Sequence, residues 1–416
     1  MASINYNQKC EFCGNNQVPH FANWYFESLN VFLSVARKLI LYNPLAMLIK
    51  KIISKFSCFK KFVHFLVFIK VIKWETHREN CKIPRAQVLW QEAEARGYKM
   101  KQAVLYGKPL DIYSVTNRNT EIVFSGLPRP RNYDDSSLDW MDDKQILKSK
   151  FFKSAIPVPI GGSAWTFSQA KKIFEHIQKN RGTKPSDSVS VIVKPRAGSR
   201  GRHSTTYISN LVELKKAYKI AKQLCFWVIV EEQLFGPVYR ATLINYELCG
   251  VLRGDSPQVQ GDGVHSIKEL IEEKNKSLHA GVKDIVADNE MEKFVERGLY
   301  RKMNENKITN VWTYVPMHGE VVQLSEKIGV SYGGSSSEDF EICHEDNTKL
   351  FVEAAKFVAD PIIGFDFIIP DITKSWKEQK CGFLEANSLP FINLHHNPLL
   401  GQPKNVAAKV WDMIFK

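Results

Sequence analysis

The chain has 416 residues, 44% of them hydrophobic and 24% charged. That make-up excludes a disordered or fibrous chain and fits a globular protein of about two to three domains. The formal net charge is +13, but between Val31 and Asn80 ten Lys and Arg stand against only Glu75 and Glu79, a local net of +8. Basicity confined to a strongly apolar segment points to a membrane surface or a partner helix, and no nucleic-acid partner is expected. Eight scattered cysteines exclude a dense disulfide scaffold and read as a reducing compartment. The polar start MASINYNQKCEFCGNN has no secretory h-region, and no apolar stretch reaches the ~20 residues needed to span a bilayer. The expected location is cytoplasmic; residues 44–73 either make peripheral contact at the inner membrane face or pack on the catalytic domains with their lysines in water.

In chain order, residues 1–30 read as an irregular, aromatic leader. Asn43-Pro44 then starts a basic amphipathic helix or helix pair, with Leu45, Leu48, Ile49, Ile52, Ile53, Phe56, Phe59, Phe62 and Val63 on one side and Lys51, Lys55, Lys60 and Lys61 largely on the other. A helix over Arg85–Gly97 and short strands (QAVLYG, DIYSV, EIVFSG) follow. The turn-rich PRPRNYDDSS then leads to a helix in DDKQILKSKFFKSA. Beyond residue 164 strands and helices alternate. The strands are VSVIVK, TTYIS, CFWVIVE, YRATLIN, LCGVLRG, NVWTYVPM, EVVQLS, GFDFIIP and GFLEAN; the helices lie near 168–180, 211–224, 266–275 and 346–358. Such mixing with hairpin-like strand pairs predicts an α+β fold rather than a simple doubly wound sheet.

Four motifs carry chemistry. In VIV-Lys194-Pro-Arg-Ala-Gly198-Ser-Arg-Gly201-Arg202 a strand ends in a lysine and meets a glycine loop, where backbone N–H groups can approach phosphate oxygens. The alternative is a solvated hairpin tip. Glu385 and Asn387 are two apart on a strand and so share a face, and Asp366 lies on a strand able to pair with it. Two carboxylates and an amide oxygen make a hard-oxygen site suited to Mg²⁺ and nucleotide phosphates; the alternative is a polar edge strand. Val230-Glu231-Glu232 runs from an apolar strand into a linker that an adenine edge could meet. Arg240 and Arg253, on successive strands, are placed to neutralise phosphate charge, like any two surface arginines.

The order Asp143-Lys144, IPVP, KPxxGxxGR, VEE, GDG before a helix, GG, GFD and ExN resembles the ATP-grasp superfamily. Within it, the chain resembles the ATP-grasp units of cyanophycin synthetase and of bifunctional glutamate–cysteine ligase/glutathione synthetase, over roughly residues 142–416. The resemblance implies an ATP-grasp fold with a pre-ATP-grasp domain at 81–150, a lid subdomain at 151–235 and a C-terminal subdomain at 236–416, behind a leader with basic amphipathic helices at 1–80. It implies that Lys144 and Lys194 hold ATP phosphates and that Gly198, Gly201 and Arg202 belong to the lid loop. Glu231 and Glu232 would meet adenine or ribose, with Arg240 at the phosphates. Asp366, Glu385 and Asn387 would bind two Mg²⁺, Mn²⁺ being an alternative ion. Arg253, with Lys194, would be catalytic and stabilise the phosphorylated intermediate. The implied activity is an ADP-forming carboxylate–amine ligase acting on small amino-acid or peptide-like carboxylates and amines; an oligomer is left open.

The sequence departs from these relatives in places. D-alanine–D-alanine ligases carry an arginine two before the first metal Asp, where this chain has Gly364. Closer relatives follow the metal Asn with a glycine and an arginine, where this chain has Phe391 and Asn393. The rival reading is a non-catalytic nucleotide-binding module recruited by its basic helix. Cys10-x-x-Cys13 is half of a zinc site, with His20 as a third candidate and an unpaired reduced pair as the alternative. His395 and His396 could line the site or cap a helix, and Trp74, Trp90 and Trp140 read as core.

Overall fold

The computed structural model describes residues 10–13, 17–40, 56–130, 132–133, 140–179, 190–198, 201–278, 282–302, 310–325 and 327–415. The helix start expected at Asn43-Pro44 lies outside these residues. Part of the expected irregular leader is instead helix α1, His20–Ile40, and helix α2 follows at Phe56–Phe68. Among the described residues no helix is long and apolar enough to cross a membrane.

Strands β1 (Ile72–Glu75), β2 (Lys99–Leu105), β3 (Lys108–Asn117) and β4 (Thr120–Ser125) form an antiparallel meander. Its first strand falls within the stretch assigned to the leader. Helix α3, Pro84–Ala95, begins with proline at its first position, where no N–H is missed. It buries Leu89 and Trp90 against the C-terminal helix α11, Val406–Phe415, and the Trp411 indole N–H donates to the Leu89 carbonyl at 2.9 Å. Helix α4, Lys144–Lys153, is N-capped by Asp143, whose carboxylate accepts from the N–H groups of Gln145 and Ile146.

A second antiparallel sheet, ordered β5-β8-β6-β7, is built from Gly161–Ala164, Val191–Pro195 (β6), Thr205–Ile208 (β7) and Val228–Glu232 (β8). Helices α5 (Phe167–Lys179) and α6 (Leu211–Ala221) cover it, with Phe174, Ile177, Leu214 and Ala217 filling the space between.

The largest sheet has six strands in the order β15-β14-β9-β10-β13-β16. These are β9 (Val238–Ile244), β10 (Glu247–Gly254), β13 (Ser336–Glu338), β14 (Ile362–Ile368), β15 (Gly382–Asn387) and β16 (Leu400–Gly401). Phe365, Phe367 and Phe383 point from it toward Phe351 of α9 (Glu345–Val358) and Phe151 of α4, with ring centroids 4.8–5.2 Å apart for Phe367–Phe383, Phe365–Phe383, Phe351–Phe367 and Phe151–Phe383. This aromatic layer, largely closed to solvent, is the rigid floor beneath the candidate site.

Between these strands lie α7 (Ile267–Lys276), started by the expected Ser266/Glu269 capping box, and α8 (Asn289–Lys302), which the sequence did not announce. NVWTYVPM, expected as a strand, is a single 3-10 turn at Val311–Thr313, capped by Asn310. The asparagine side chain offers the backbone a local partner in place of a strand neighbour.

Candidate active site

Strand register builds the site. Asp366 on β14 is level with Glu385 on β15 and with Arg240 on β9. Residues level with each other in antiparallel strands share a face, so one cation and two carboxylates stand in a row. A bulge in β15 between the Glu385 and Phe383 pairings lets these two residues face opposite sides, Glu385 with Asp366 in the site and Phe383 with Phe367 in the core. Asn387 lies two residues beyond Glu385, level with Gly364. A Cβ on Gly364 would lie 2.8 Å from Pro390 Cβ, so the arginine that D-alanine–D-alanine ligases carry there has no room.

Arg240 grips Asp366 with Nε–Oδ1 at 3.0 Å and Nη2–Oδ2 at 3.3 Å. Burial nevertheless pushes the Asp366 carboxyl up to about 6; Arg240 opposes the shift and Glu385 adds to it. The Glu385 carboxyl, which burial alone would raise, is drawn down to about 2 by Lys144 and by a hydrogen bond with Asp366. Two adjacent buried anions repel, which is why Glu385 adds to the rise of Asp366. A divalent cation would remove that conflict. This donor set fits Mg²⁺: hard oxygens and few protein ligands.

Lys144 is the joint between sheet and loop. Its Nζ lies 3.4 Å from Glu385 Oε2 and donates to the Gly198 carbonyl at 2.9 Å. The start of the loop is tied to the same helix, since Arg196 donates to both oxygens of the α4 cap Asp143, at 3.1 and 2.8 Å. Gly198 and Gly201 both have positive φ (+116° and +64°), which a residue with a Cβ adopts only under strain.

Glu231 and Glu232 do not present free carboxylates to a ligand. Glu231 takes Lys148 and Lys194 on its two oxygens, each at 2.5 Å. Burial would raise this carboxyl, yet the two lysines pull it down to about 2. Glu232 accepts from the Ile160 N–H at 3.0 Å and pairs with Lys380 at 2.5 Å. Arg253 lies off the carboxylate row. The residue of β10 level with Arg240 is Leu252, while Arg253 is level with Tyr239 on the alternate face and bonds Asp255 at 2.8 Å. The pleat therefore does not bring Arg253 to the carboxylates. His395 is fully buried, with Nε2 2.7 Å from Thr242 Oγ1 and Nδ1 2.6 Å from Glu338 Oε2, and His396 Nε2 accepts from the Ala407 N–H. Both are structural.

Sequence reading missed Lys148 and Arg196. Lys148 is four residues beyond Lys144 on one helix, and that spacing alone puts both ammonium groups on the same face.

No protein-family model matches the chain. Among curated proteins it is 27% identical over 336 residues to cyanophycin synthetase of Crocosphaera subtropica, covering 80% of this chain and 36% of that one. It is 30% identical over 275 residues to the cyanophycin synthetase of Synechocystis sp., covering 66% of this chain and 30% of that one. It is 26% identical over 277 residues to the glutathione biosynthesis bifunctional protein GshAB of Clostridium perfringens, covering 66% and 34%. Among solved structures, a bifunctional glutathione synthetase from Pasteurella multocida superposes with a TM-score of 0.54 at 22% identity, covering 81% of this chain and 44% of that one. The protein has the ATP-grasp fold, and its curated homologues are cyanophycin synthetases and GshAB proteins. It spans 36% of the Crocosphaera relative and 29% of the Trichormus variabilis and Nostoc relatives.

Proposed function

We propose that the protein is a Mg²⁺- and ATP-dependent ligase joining a carboxylate to an amine on amino-acid or peptide-like substrates. The observation that carries this reading is the row Arg240–Asp366–Glu385, bound through Lys144 to the Gly198 loop. Phosphoryl transfer asks a protein mainly for position and charge neutralisation, and this group supplies both. Asp366, Glu385 and Asn387 would hold Mg²⁺, which neutralises phosphate charge when bound. Lys144 and Lys194 bind phosphate oxygens, and Glu231 with Lys148 positions Lys194. The Gly198–Arg202 loop covers the phosphates. Because the Glu231 and Glu232 side chains are committed, the adenine edge meets backbone beyond them, at Leu234 and Phe235.

The substrate carboxylate attacks the γ-phosphorus, forming an acyl phosphate and releasing ADP. The amine then attacks the acyl carbon, an amide C–N bond forms, and phosphate leaves with the acyl oxygen it received. Phe391, whose ring lies 5.6 Å from the Arg240 guanidinium and is half exposed, together with Asn393 borders the acyl or acceptor pocket and sets substrate choice.

The test is ADP release from ATP in a screen of amino acids and dipeptides, with mass detection of the condensed product. A product equal in mass to acid plus amine minus water, made one per ADP, is expected. Release of AMP, or ADP formation without any condensed product in every mixture, would refute the ligase reading.

The proposal includes peripheral membrane contact through residues 44–73. Phe62, Phe65 and Phe68 are exposed on α2, beside Lys61. Co-sedimentation with anionic vesicles that falls as salt rises is the expected behaviour.

A further inference from the structure

We propose that Cys10, Cys13, His20 and His203 form a structural Zn²⁺ site that fastens the N-terminal leader to the far end of the glycine loop. The ligating atoms of these four residues all lie within 4.8 Å of one another. Cys10 Sγ and Cys13 Sγ are 3.5 and 3.4 Å from His203 Nε2, and Cys13 Sγ is 3.3 Å from His20 Nε2. Bond lengths of about 2.3 Å to sulfur and about 2.0 Å to nitrogen give a tetrahedron whose S···N edges are about 3.5 Å. The three S···N contacts match that edge.

The surroundings are those of a built site. Cys13 and His203 are 2% and 1% exposed. His203 Nδ1 lies 2.9 Å from the Ile220 carbonyl, which can only accept, so Nδ1 carries the proton and Nε2 turns its lone pair to the sulfurs. The backbone holds the same arrangement. Cys13 N–H donates to Cys10 O at 3.2 Å, and His203 N–H donates to Phe12 O at 3.0 Å. Gln17 brackets Cys10 by donating to its carbonyl and accepting from its N–H, both at 2.8 Å. His20 is fixed as the first residue of α1, which is docked on the lid through Ser28 Oγ accepting from the Phe226 N–H at 2.9 Å.

A Cys10–Cys13 disulfide would account for the sulfurs but not for two imidazole nitrogens turned toward them. Two soft thiols and two imidazoles brought together select Zn²⁺ over the hard cation of the carboxylate site. Binding deprotonates both thiols and releases their protons to solvent. Four protein ligands leave no open position, so the metal does no chemistry. His203 lies two residues beyond Gly201, so the metal anchors the end of the loop opposite to the Arg196–Asp143 tie.

The test uses the full chain purified under reductant without chelator. Elemental analysis should give a single Zn²⁺ per chain. After stripping, Co²⁺ titration should give intense tetrahedral visible bands with thiolate charge transfer in the near ultraviolet. His20→Gln, at a half-exposed position, should weaken Co²⁺ binding by more than about tenfold and alter the bands. Cys13→Ser should abolish them. Glu385→Ala should retain both metal and spectrum, which separates this site from the carboxylate site. Absence of stoichiometric zinc together with an octahedral Co²⁺ spectrum would overturn the proposal, as would an unaltered spectrum in His20→Gln. Should Cys13→Ser fail to fold, the wild-type and His20→Gln spectra decide.

Discussion

The six-stranded sheet and the four-stranded sheet β5-β8-β6-β7 solve the placement of charge in different ways. On the large sheet, strand register alone lines up Arg240, Asp366 and Glu385 over a sealed aromatic layer. On the four-stranded sheet, Lys194 is the last residue but one of β6, and the loop that follows is held by side-chain ties: Arg196 to Asp143, Lys144 to the Gly198 carbonyl, and His203 to the cysteine pair. A register cannot shift by one residue without exposing the core, so the carboxylates are fixed. Point ties can be altered one at a time. Substitutions on the sheet should therefore act on chemistry, and those on the lid should act on nucleotide affinity.

Glu385→Ala attacks the fixed half and should have the largest effect, a loss of ATP turnover of about 10³-fold or more with the circular dichroism spectrum unchanged. Turnover at the wild-type rate would dissolve the distinction. Glu231→Gln probes the join between the halves, because it leaves Lys148 and Lys194 buried without their anion. It should destabilise the protein by on the order of 3 kcal/mol at neutral pH, read from urea unfolding. Its pH dependence has a definite sign. The folded carboxyl sits at about 2, below the ordinary 4.5, so its stabilisation is present above about 4.5 and is lost as pH falls toward 2. The wild-type and Glu231→Gln melting curves should converge over that window; a gap of constant size would show that the lysines do not depend on this charge.

Arg196→Ala cuts one tie of the lid loop. A KM for ATP raised by about tenfold with kcat nearly unchanged is expected from steady-state kinetics. An equal fall in kcat would place Arg196 in the chemistry instead. The smallest effect should come from Arg253→Ala, since the pleat carries that residue away from Asp366 and Glu385; kcat/KM should change by no more than about threefold. A loss comparable to that of Glu385→Ala would restore Arg253 to the site.

The same contrast governs what could be read from the sequence. The shared face of Glu385 and Asn387 was legible because strand alternation puts residues two apart on one side. That Arg240 would stand level with Asp366 was not legible, because this strand pairing joins residues 126 positions apart. Lys148 looked like one more solvated lysine in KQILKSK until Glu231 was placed beside it. His203 gave no signal as a partner for Cys10 and Cys13, about 190 residues away. Helix α1 was missed because its start, Pro19-His20-Phe21, lacks a side-chain cap residue and its aromatics are modest helix formers. That Arg253 stands level with Tyr239 rather than with Arg240 was not legible either, because the register of two adjacent strands is set by the turn between them.

Isotope transfer tests the ligase reading most directly. With amino-acid and dipeptide substrates labelled with ¹⁸O in the carboxylate, Mg²⁺ and ATP, attack of the carboxylate on the γ-phosphate predicts that each phosphate released carries one ¹⁸O, in step with amide formation. ADP release with unlabelled phosphate, or label appearing in AMP, would contradict it.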